Sequence, residues 1–380
     1  MNSTSPAWHL LIEASKLKPS KTLISALFKT KIVQEDLLSL AIVNGIVPVI
    51  YPVIKNHLTQ NCNEAFSQYI KDIKKRNFFM SAKLLQVTYL LQGKGIIVMP
   101  IKGPLLAQHI YHDIALRPSS DLDILVQQDD LLTVAHELIS LGYKSEKDIS
   151  VFSHTYILTK FSDISFVHQD TGLIIELHWK LLKSASAELA QISNIFENSI
   201  DIDFQNTSLS SLPIEEEFLY LCVHAAKHRF ERIEWMNDLD RHYELYHKQY
   251  DWDRLLNMAE NEDYTIPYLL GLHILHKLYE RDIPHPTSNQ HMQTKTIKKL
   301  YNKVLTLHAN NYILKEKARG IRWKELFFSM SLEGSLYKKL KLFKDQLFPL
   351  YIDDILSMQE RSKSFYFLYY LKRIQRYLKL

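Results

Sequence analysis

The stretch ALRPSSDLDILV, residues 115–126, carries two aspartates at the start of an apolar run. Asp121 and Asp123 are separated by one residue, and Arg117 lies four residues before the first of them. The short aliphatic run predicts a β-strand, and residues i and i+2 of a strand face the same side. Two carboxylates held this close favour a bound cation, for which Mg²⁺ is well suited. The alternative is a solvent-exposed strand end or a helix cap, where such a pair needs no ligand.

A further acid interrupts the apolar run GLIIELHWKL, residues 172–181. Alternation places Glu176 and His178 on one face of a second predicted strand. If this strand lies beside the first, Glu176 is a third carboxylate in the same cleft; otherwise it is a strand-edge residue paired with a lysine. His178 and Trp179 can stack against a base, although a tryptophan at a strand end is more often a core residue.

The run PIKGPLL, residues 100–106, predicts a strand that leads directly into a helix. Pro104 suits the first turn of a helix, and Lys102 and Gly103 immediately precede it. Backbone N–H groups at a helix N-terminus form an anion site, here with a lysine beside it. The run contains one glycine and lacks the Gly-rich Walker pattern.

The spacing of apolar residues divides the chain into four segments. Three- and four-residue spacing predicts helices at both ends, and short apolar runs between turns predict a mixed sheet in the middle. The predicted segments are an N-terminal helical region (1–92), an α/β core (93–205), a helical domain (206–285) and a basic helical region (286–380). Within the core we expect helices at 104–113 and 127–143, and strands at 95–103, 154–161, 164–172 and 173–182.

The composition is that of a globular protein, since 46% of the 380 residues are hydrophobic and 23% are charged. Two cysteines exclude a disulfide framework and a Cys-rich metal site, which favours a reducing compartment. The N-terminus has no signal-peptide pattern, and no apolar window approaches the roughly 18 residues of a transmembrane helix. The sequence therefore predicts a cytoplasmic protein without a transmembrane segment.

The C-terminal part of the chain is basic, although the formal net charge is only +4. Residues 295–380 contain 19 Lys and Arg against 7 Asp and Glu. Such a surface can bind nucleic acid or an anionic membrane; solvated helix faces with excess lysine are the alternative. The terminal run FYFLYYLKRIQRYLKL, residues 365–380, predicts either a packed helix or one that binds RNA or a membrane surface.

Two of the 17 histidines lie four residues apart on a predicted helix. The spacing of His224 and His228 is compatible with a metal, but the glutamate that a zincin needs beside the first histidine is missing. We expect His224, His228, Trp235 and Asp238 instead to form a polar seam between the helical domain and the core, or to shape an acceptor cleft.

Read in order, the motifs KG, R-x-x-x-D-x-D and E-x-H-W resemble the DNA polymerase β-like nucleotidyltransferase superfamily. More narrowly, they resemble a family of uncharacterised bacterial nucleotidyltransferases. The resemblance covers the middle segment best and extends to VHAAKHRFERIEWMNDLDR, residues 223–241, and DWDRLL, residues 251–256. It implies an α/β (α+β) fold, with a small mixed-sheet nucleotidyltransferase core flanked by N- and C-terminal helical regions.

The resemblance assigns the three acids as catalytic metal ligands. Asp121 and Asp123 would hold Mg²⁺ (or Mn²⁺) and the nucleoside triphosphate. Glu176 would match the third carboxylate, which in active members binds a second metal and activates the attacking hydroxyl. The implied reaction transfers an NMP from an NTP to an unidentified hydroxyl of a small molecule, protein or RNA, and releases pyrophosphate.

The resemblance also implies nucleotide contacts, with one departure. Gly103 would match the glycine of the superfamily's Gly-Ser loop, but Pro104 replaces the serine, so that one N–H and one hydroxyl are missing. Lys102 would compensate as a point charge, and Arg117 would bridge phosphate or pair with Asp121. The implied nucleotide-binding set is Lys102, Gly103, Arg117, Ser120 and His178.

Two other functions remain open. The proline after Gly103 suits a catalytically impaired nucleotide sensor or scaffold that keeps the fold. The basic C-terminal region suits a toxin-like enzyme that modifies tRNA.

Overall fold

The computed structural model describes residues 5–30, 32–181, 195–309 and 323–347, and residue 352. The N-terminal region is helical, as predicted. Its helices are α1 (Pro6–Ser15), α2 (Lys21–Phe28), α3 (Gln34–Val43), α4 (Val47–Ile54) and the long α5 (Gln60–Gln92).

A mixed α/β unit follows α5, and it confirms the predicted fold class. Its elements are β1 (Met99–Pro100), α6 (Gly103–Tyr111), β2 (Asp121–Leu125), α7 (Leu131–Ser140), β3 (Tyr143–Ser145), α8 (Thr155–Lys160), β4 (Asp163–His168) and β5 (Ile174–His178). The sheet order is β1-β2-β5-β4-β3. The β2 and β5 strands run parallel, whereas the other neighbouring pairs are antiparallel.

Two predicted strands of this unit differ from the structure. The segment 154–161 contains helix α8 instead of a strand, because Ile157 and Leu158 are both buried. Adjacent residues of a strand face opposite sides, so only a helical turn directs both into one core. The strand predicted at 95–103 pairs only at Met99 and Pro100. Pro100 lacks an N–H and suits an edge strand, which β1 is.

The chain then forms a hairpin that the apolar pattern did not predict, β6 (Ile200–Phe204) and β7 (Thr207–Ser211). Helices follow as predicted. They are α9 (Ile214–Lys227), α10 (Ile233–Tyr246), α11 (Trp252–Asn261), α12 (Thr265–Leu278), α13 (Pro286–Met292), α14 (Lys295–Ala309), α15 (Trp323–Leu332) and α16 (Leu336–Leu347). The four-segment division of the chain stays a prediction.

Helix α6 lies between two apolar cores. Leu105 packs in the core beneath the sheet, together with residues of α5 and α7. Leu106 and Ile110 pack in a second core that the N-terminal helices share with α9, α10 and α12. The start of α6 is therefore held from both sides.

Two further predictions concern membrane-spanning helices and the C-terminal segment. Within the described ranges, no helix combines the length and apolar character needed to cross a membrane. The amphipathic segment predicted at 365–380 lies outside the described residues.

Candidate active site

The predicted carboxylates meet on one face of the sheet. Parallel pairing of β2 with β5 places Asp123 opposite Glu176 and Asp121 opposite Ile174. Because side chains alternate along each strand, Asp121, Asp123, Glu176 and His178 all project from the same face. The two strands are neighbours, which is the condition under which Glu176 faces the same cleft as the two aspartates.

Three of these side chains form a compact group with the donor atoms of a metal site. Ligand atoms of Asp123, Glu176 and His178 all lie within 4.8 Å of one another. The His178 Nε2 atom lies 3.2 Å from Asp123 Oδ1 and 3.5 Å from Glu176 Oε2. The predicted metal set contained Asp121, but the structure brings His178 into this group instead. Asp121 Oδ1 accepts a hydrogen bond from Ser120 Oγ at 3.0 Å.

The donor set fits a divalent cation. Asp123 Oδ2 is buried, and no hydrogen-bond partner for it exists in the part of the chain that the structure describes. A buried carboxylate oxygen without a partner is costly. Carboxylate oxygens suit Mg²⁺ or Mn²⁺, and an added imidazole is compatible with Mn²⁺ and later transition metals.

Lys102 forms a buried ion pair with the central aspartate. Its Nζ atom lies 3.0 Å from Asp123 Oδ1. Burial alone would lower the pKa of Lys102, but Tyr220, Asp123 and Asp121 together raise it above its usual range. Burial alone would likewise raise the pKa of Asp123, yet Lys102 and His178 hold it well below its usual range. The lysine is therefore cationic and the aspartate anionic at neutral pH.

The same charges shift the pKa values of Asp121 and His178, two other groups on this face. Burial followed by repulsion from Asp123 raises the pKa of Asp121, with Lys102 opposing the change. Burial alone would lower the pKa of His178, but Asp123 and Glu176 raise it to about 9. Without a bound ion the His178 imidazole is therefore protonated at neutral pH, and it can become a metal ligand only when an entering cation displaces this proton.

A helix begins at Gly103, where the sequence predicts an anion site. Gly103 adopts a φ of +66°, a left-handed value that favours glycine. Lys102 occupies the N-cap position, and its side chain makes no capping hydrogen bond to the N–H groups of the helix. Pro104 supplies no N–H, so the donors at this end come from Gly103 and the residues after the proline.

Arg117 has partners other than the predicted ones. Its guanidinium donates to both carboxylate oxygens of Asp238 at 3.0–3.1 Å and lies 3.5 Å from Glu234 Oε1. Tyr111 OH donates to Asp238 as well, at 2.7 Å. Of the two predicted alternatives, pairing with Asp121 is wrong, because the buried carboxylates of α10 hold this arginine. The contact with phosphate stays a prediction. Asp238 thus makes a polar contact of the kind predicted for the seam, whereas the seam as a set of four residues stays a prediction.

Helix α5 holds the same loop from the other side, which the motifs did not predict. Arg76 donates to the carbonyl oxygens of Ser119 and Ser120 at 2.9 and 3.0 Å. Asn77 donates to the carbonyl oxygen of Arg117 at 2.9 Å. About 40 residues separate these partners in the sequence, so no local spacing could reveal them.

The remaining predicted residues are Trp179 on β5's C-terminal side and the ring side chains of His224, His228 and Trp235. Trp179 is fully buried and donates its indole N–H to the carbonyl oxygen of Leu158, so it is a core residue. His224, His228 and Trp235 pack ring against ring, at centroid distances of 5.0–5.3 Å. Among the described residues, neither histidine belongs to a group with the geometry of a metal site.

A comparison with protein families matches residues 30–280 to a family described as uncharacterised nucleotidyltransferase. The match includes both strands that carry the carboxylates, the start of α6, and helices α9 and α10. Comparisons with curated proteins and with solved structures find no match. The family match spans well over half of the chain, and the chain belongs to this family of uncharacterised nucleotidyltransferases.

Proposed function

We propose that the protein is a Mg²⁺-dependent enzyme that transfers an NMP from an NTP to a hydroxyl acceptor. The two carboxylates of Asp123 and Glu176, which the pairing of β2 with β5 brings together beside Lys102, carry the proposal. Asp123 Oδ2 is buried and has no hydrogen-bond partner among the described residues. The start of α6, where the Lys102 side chain makes no capping hydrogen bond, supplies the adjacent anion site.

The acidic side chains share the role of ligands for the divalent ion, and Glu176 is also accessible to the acceptor. Asp121, Asp123 and Glu176, with His178 beside them, would hold the divalent ion. When bound, that ion neutralises charge on the triphosphate and lowers the pKa of the acceptor hydroxyl. The Glu176 side chain is 31% exposed, so its carboxylate remains accessible to an acceptor.

The chain's own groups then place and assist the reacting atoms. Lys102 and the first N–H groups of α6 bind the triphosphate oxygens. The acceptor oxygen bonds to the α-phosphorus while the bond from that phosphorus to the bridging oxygen of the β-phosphate breaks. Pyrophosphate leaves with the bond electrons, and Glu176 accepts the hydroxyl proton.

Pyrophosphate release tests the proposal. The wild-type chain is incubated with Mg²⁺, each labelled NTP and pools of small-molecule, protein or RNA acceptors, alongside Asp123→Asn. Transfer of label by the wild type, lost in the variant and without Mg²⁺, is expected. The exposed His136 on α7 provides a matched control, because His136→Ala should leave transfer unchanged. Equal pyrophosphate release by the wild type and Asp123→Asn would contradict the proposal.

A nucleotide sensor is the second candidate, and Pro104 favours it. The proline removes one N–H donor at the start of α6, and no hydroxyl replaces the serine of the resembled loop. Binding of Mg²⁺–NTP without transfer to any acceptor pool would support the sensor, whereas transfer would end it. Pro104→Ser should then raise nucleotide affinity by restoring both donors.

Nucleic acid stays a hypothesis as the acceptor. Its motivation is the basic composition of residues 295–380, many of which lie outside the described residues. A chain truncated after residue 290 should lose salt-dependent RNA affinity if this region binds RNA. Unchanged affinity would exclude that role.

A further inference from the structure

A row of rings extends along α9 toward the start of α10. Tyr220, His224 and His228 recur every four residues and therefore share one helix face. Their neighbouring ring centroids lie 6.0 and 5.0 Å apart. Trp235 completes the row, 5.3 Å from His224 and 5.1 Å from His228. His224, His228 and Trp235 are called the ring cluster below.

The row begins at the candidate phosphate site. Tyr220 is buried, and burial raises the pKa of its hydroxyl, which the charge of Lys102 lowers and that of Asp123 raises further. Burial followed by the Lys102 charge lowers the pKa of His224 well below 6.5. Burial, Lys227 and Lys102 lower the pKa of His228 to about 4. Both imidazoles are therefore neutral at pH 7, and both lie within electrostatic range of Lys102.

The ring cluster has faces and nitrogens available to a ligand. Each of its three side chains is only partly buried. No residue that the structure describes forms a hydrogen bond with their ring nitrogens, whereas the buried His109 and His242 both have tyrosine hydroxyl partners. A neutral imidazole offers one donor and one acceptor, which is the set needed along the edge of a base.

The far end of the row is fixed by charge. The Arg232 guanidinium carbon lies 5.6 Å from the centre of the Trp235 ring. Glu234 holds that guanidinium at 2.7 Å. The tryptophan is thereby held in place, and stacking on a preordered ring costs less side-chain entropy on binding.

We propose that the ring cluster is the subsite for the nucleobase of the nucleoside triphosphate, an inference that rests on the proposed function. Planar faces and neutral donor–acceptor rings suit a heterocycle, and Lys102 at the other end of the row suits its phosphates. The cluster thus contributes affinity for the base, separately from the carboxylates that bind the triphosphate through the ion.

Binding measurements on the full chain separate the base from the phosphates. Calorimetric titrations with Mg²⁺ compare α,β-methylene analogues of ATP, GTP, CTP and UTP with inorganic tripolyphosphate. At least one analogue should bind about tenfold more tightly than tripolyphosphate, from stacking alone. Trp235→Leu and His228→Ala should each reduce this ratio severalfold toward one while leaving tripolyphosphate affinity unchanged.

A matched tryptophan variant serves as the control, and thermal unfolding checks that each variant is folded. Trp252 of α11 is another partly buried tryptophan, which stacks on His285 away from this row. Trp252→Leu should keep the wild-type ratio. A wild-type ratio near one, or a high ratio that persists in folded Trp235→Leu and His228→Ala, overturns the subsite. A different outcome overturns the proposed function itself: neither the nucleotide analogues nor tripolyphosphate bind the wild type more tightly than they bind Asp123→Asn.

Discussion

Among the residues that the structure describes, two clusters of acids and histidines differ in how far their carboxylates are exposed to solvent. The first is the sheet site, where the Glu176 side chain is 31% exposed. The second lies where α6 meets α9 and α10. There, Glu217 Oε2 is 3.0 Å from His109 Nδ1 and 3.1 Å from His242 Nε2.

The second cluster is closed by tyrosines. His109 Nε2 lies 2.6 Å from the hydroxyl of Tyr246, and His242 Nδ1 lies 2.7 Å from that of Tyr250. Only 2% of the Glu217 side chain is exposed. Similar residue types therefore occur in two settings: the sealed cluster joins helices, while the carboxylate of Glu176 in the sheet site is accessible to solvent.

Glu176→Gln gives the sharpest contrast between the clusters. The substitution keeps the shape of the side chain but removes the proposed base and a ligand charge, so transfer should fall by about 10³-fold. Because Glu176 is partly exposed, the midpoint of thermal unfolding should change little. Pyrophosphate release and calorimetry measure the two effects. A variant with wild-type turnover would remove Glu176 from the reaction.

Glu217→Gln should behave in the opposite way. The buried carboxylate pairs with two imidazoles, and its loss should lower the free energy of unfolding by about 3 kcal/mol. Urea unfolding measures this change. Turnover per folded molecule should remain close to wild type, since Glu217 lies outside the sheet site. Unchanged stability would show that the sealed cluster does not join these helices energetically.

The same cluster predicts a pH dependence. Burial alone would raise the pKa of Glu217, but His109 and His242 lower it to about 2, from 4.5 in the unfolded chain. The stabilisation is therefore complete above pH 4.5 and is lost as the pH falls toward 2, by on the order of 3 kcal/mol. The stability difference between wild type and Glu217→Gln should shrink over this range in urea titrations. A difference that stays constant with pH would contradict the assignment.

Gly103→Ala should have the smallest effect of the four. An alanine at φ +66° costs roughly 1 kcal/mol, although its Cβ would meet the Asp121 carbonyl oxygen only at an ordinary 3.5 Å. Unfolding should show this modest loss. Tripolyphosphate affinity should fall as well, because the first turn of α6 shifts to relieve the strain. Gly172→Ala, at another left-handed turn residue, is the control, since it should lower stability without altering phosphate affinity.

Local periodicity accounts for the parts of the site that were predicted correctly. The two-residue repeat of a strand places Asp121 with Asp123, and Glu176 with His178, whatever the rest of the chain does. The Gly-Pro pair at residues 103–104 likewise marks a helix start by its backbone preferences alone. The mixed α/β class also followed from alternating patterns of apolar residues.

Long-range packing explains what was missed. The helix at Thr155–Lys160 was predicted as a strand because its apolar residues satisfy either period. Arg117 pairs with Asp238, 121 residues away, and no spacing rule reaches that far. His178 replaced Asp121 in the compact metal group for a related reason, because the geometry across two strands decides which ligand atoms converge.

The sequence alone determined which side chains share a face, where α6 begins, and that two acidic strands exist. These features depend on bond geometry within a few residues. The tertiary structure alone decided that β2 lies parallel to β5, that Asp123 faces Glu176, and that Glu217 is sealed between two histidines. Strand order and helix contacts depend on how distant apolar surfaces pack into common cores, which no short stretch of the chain encodes.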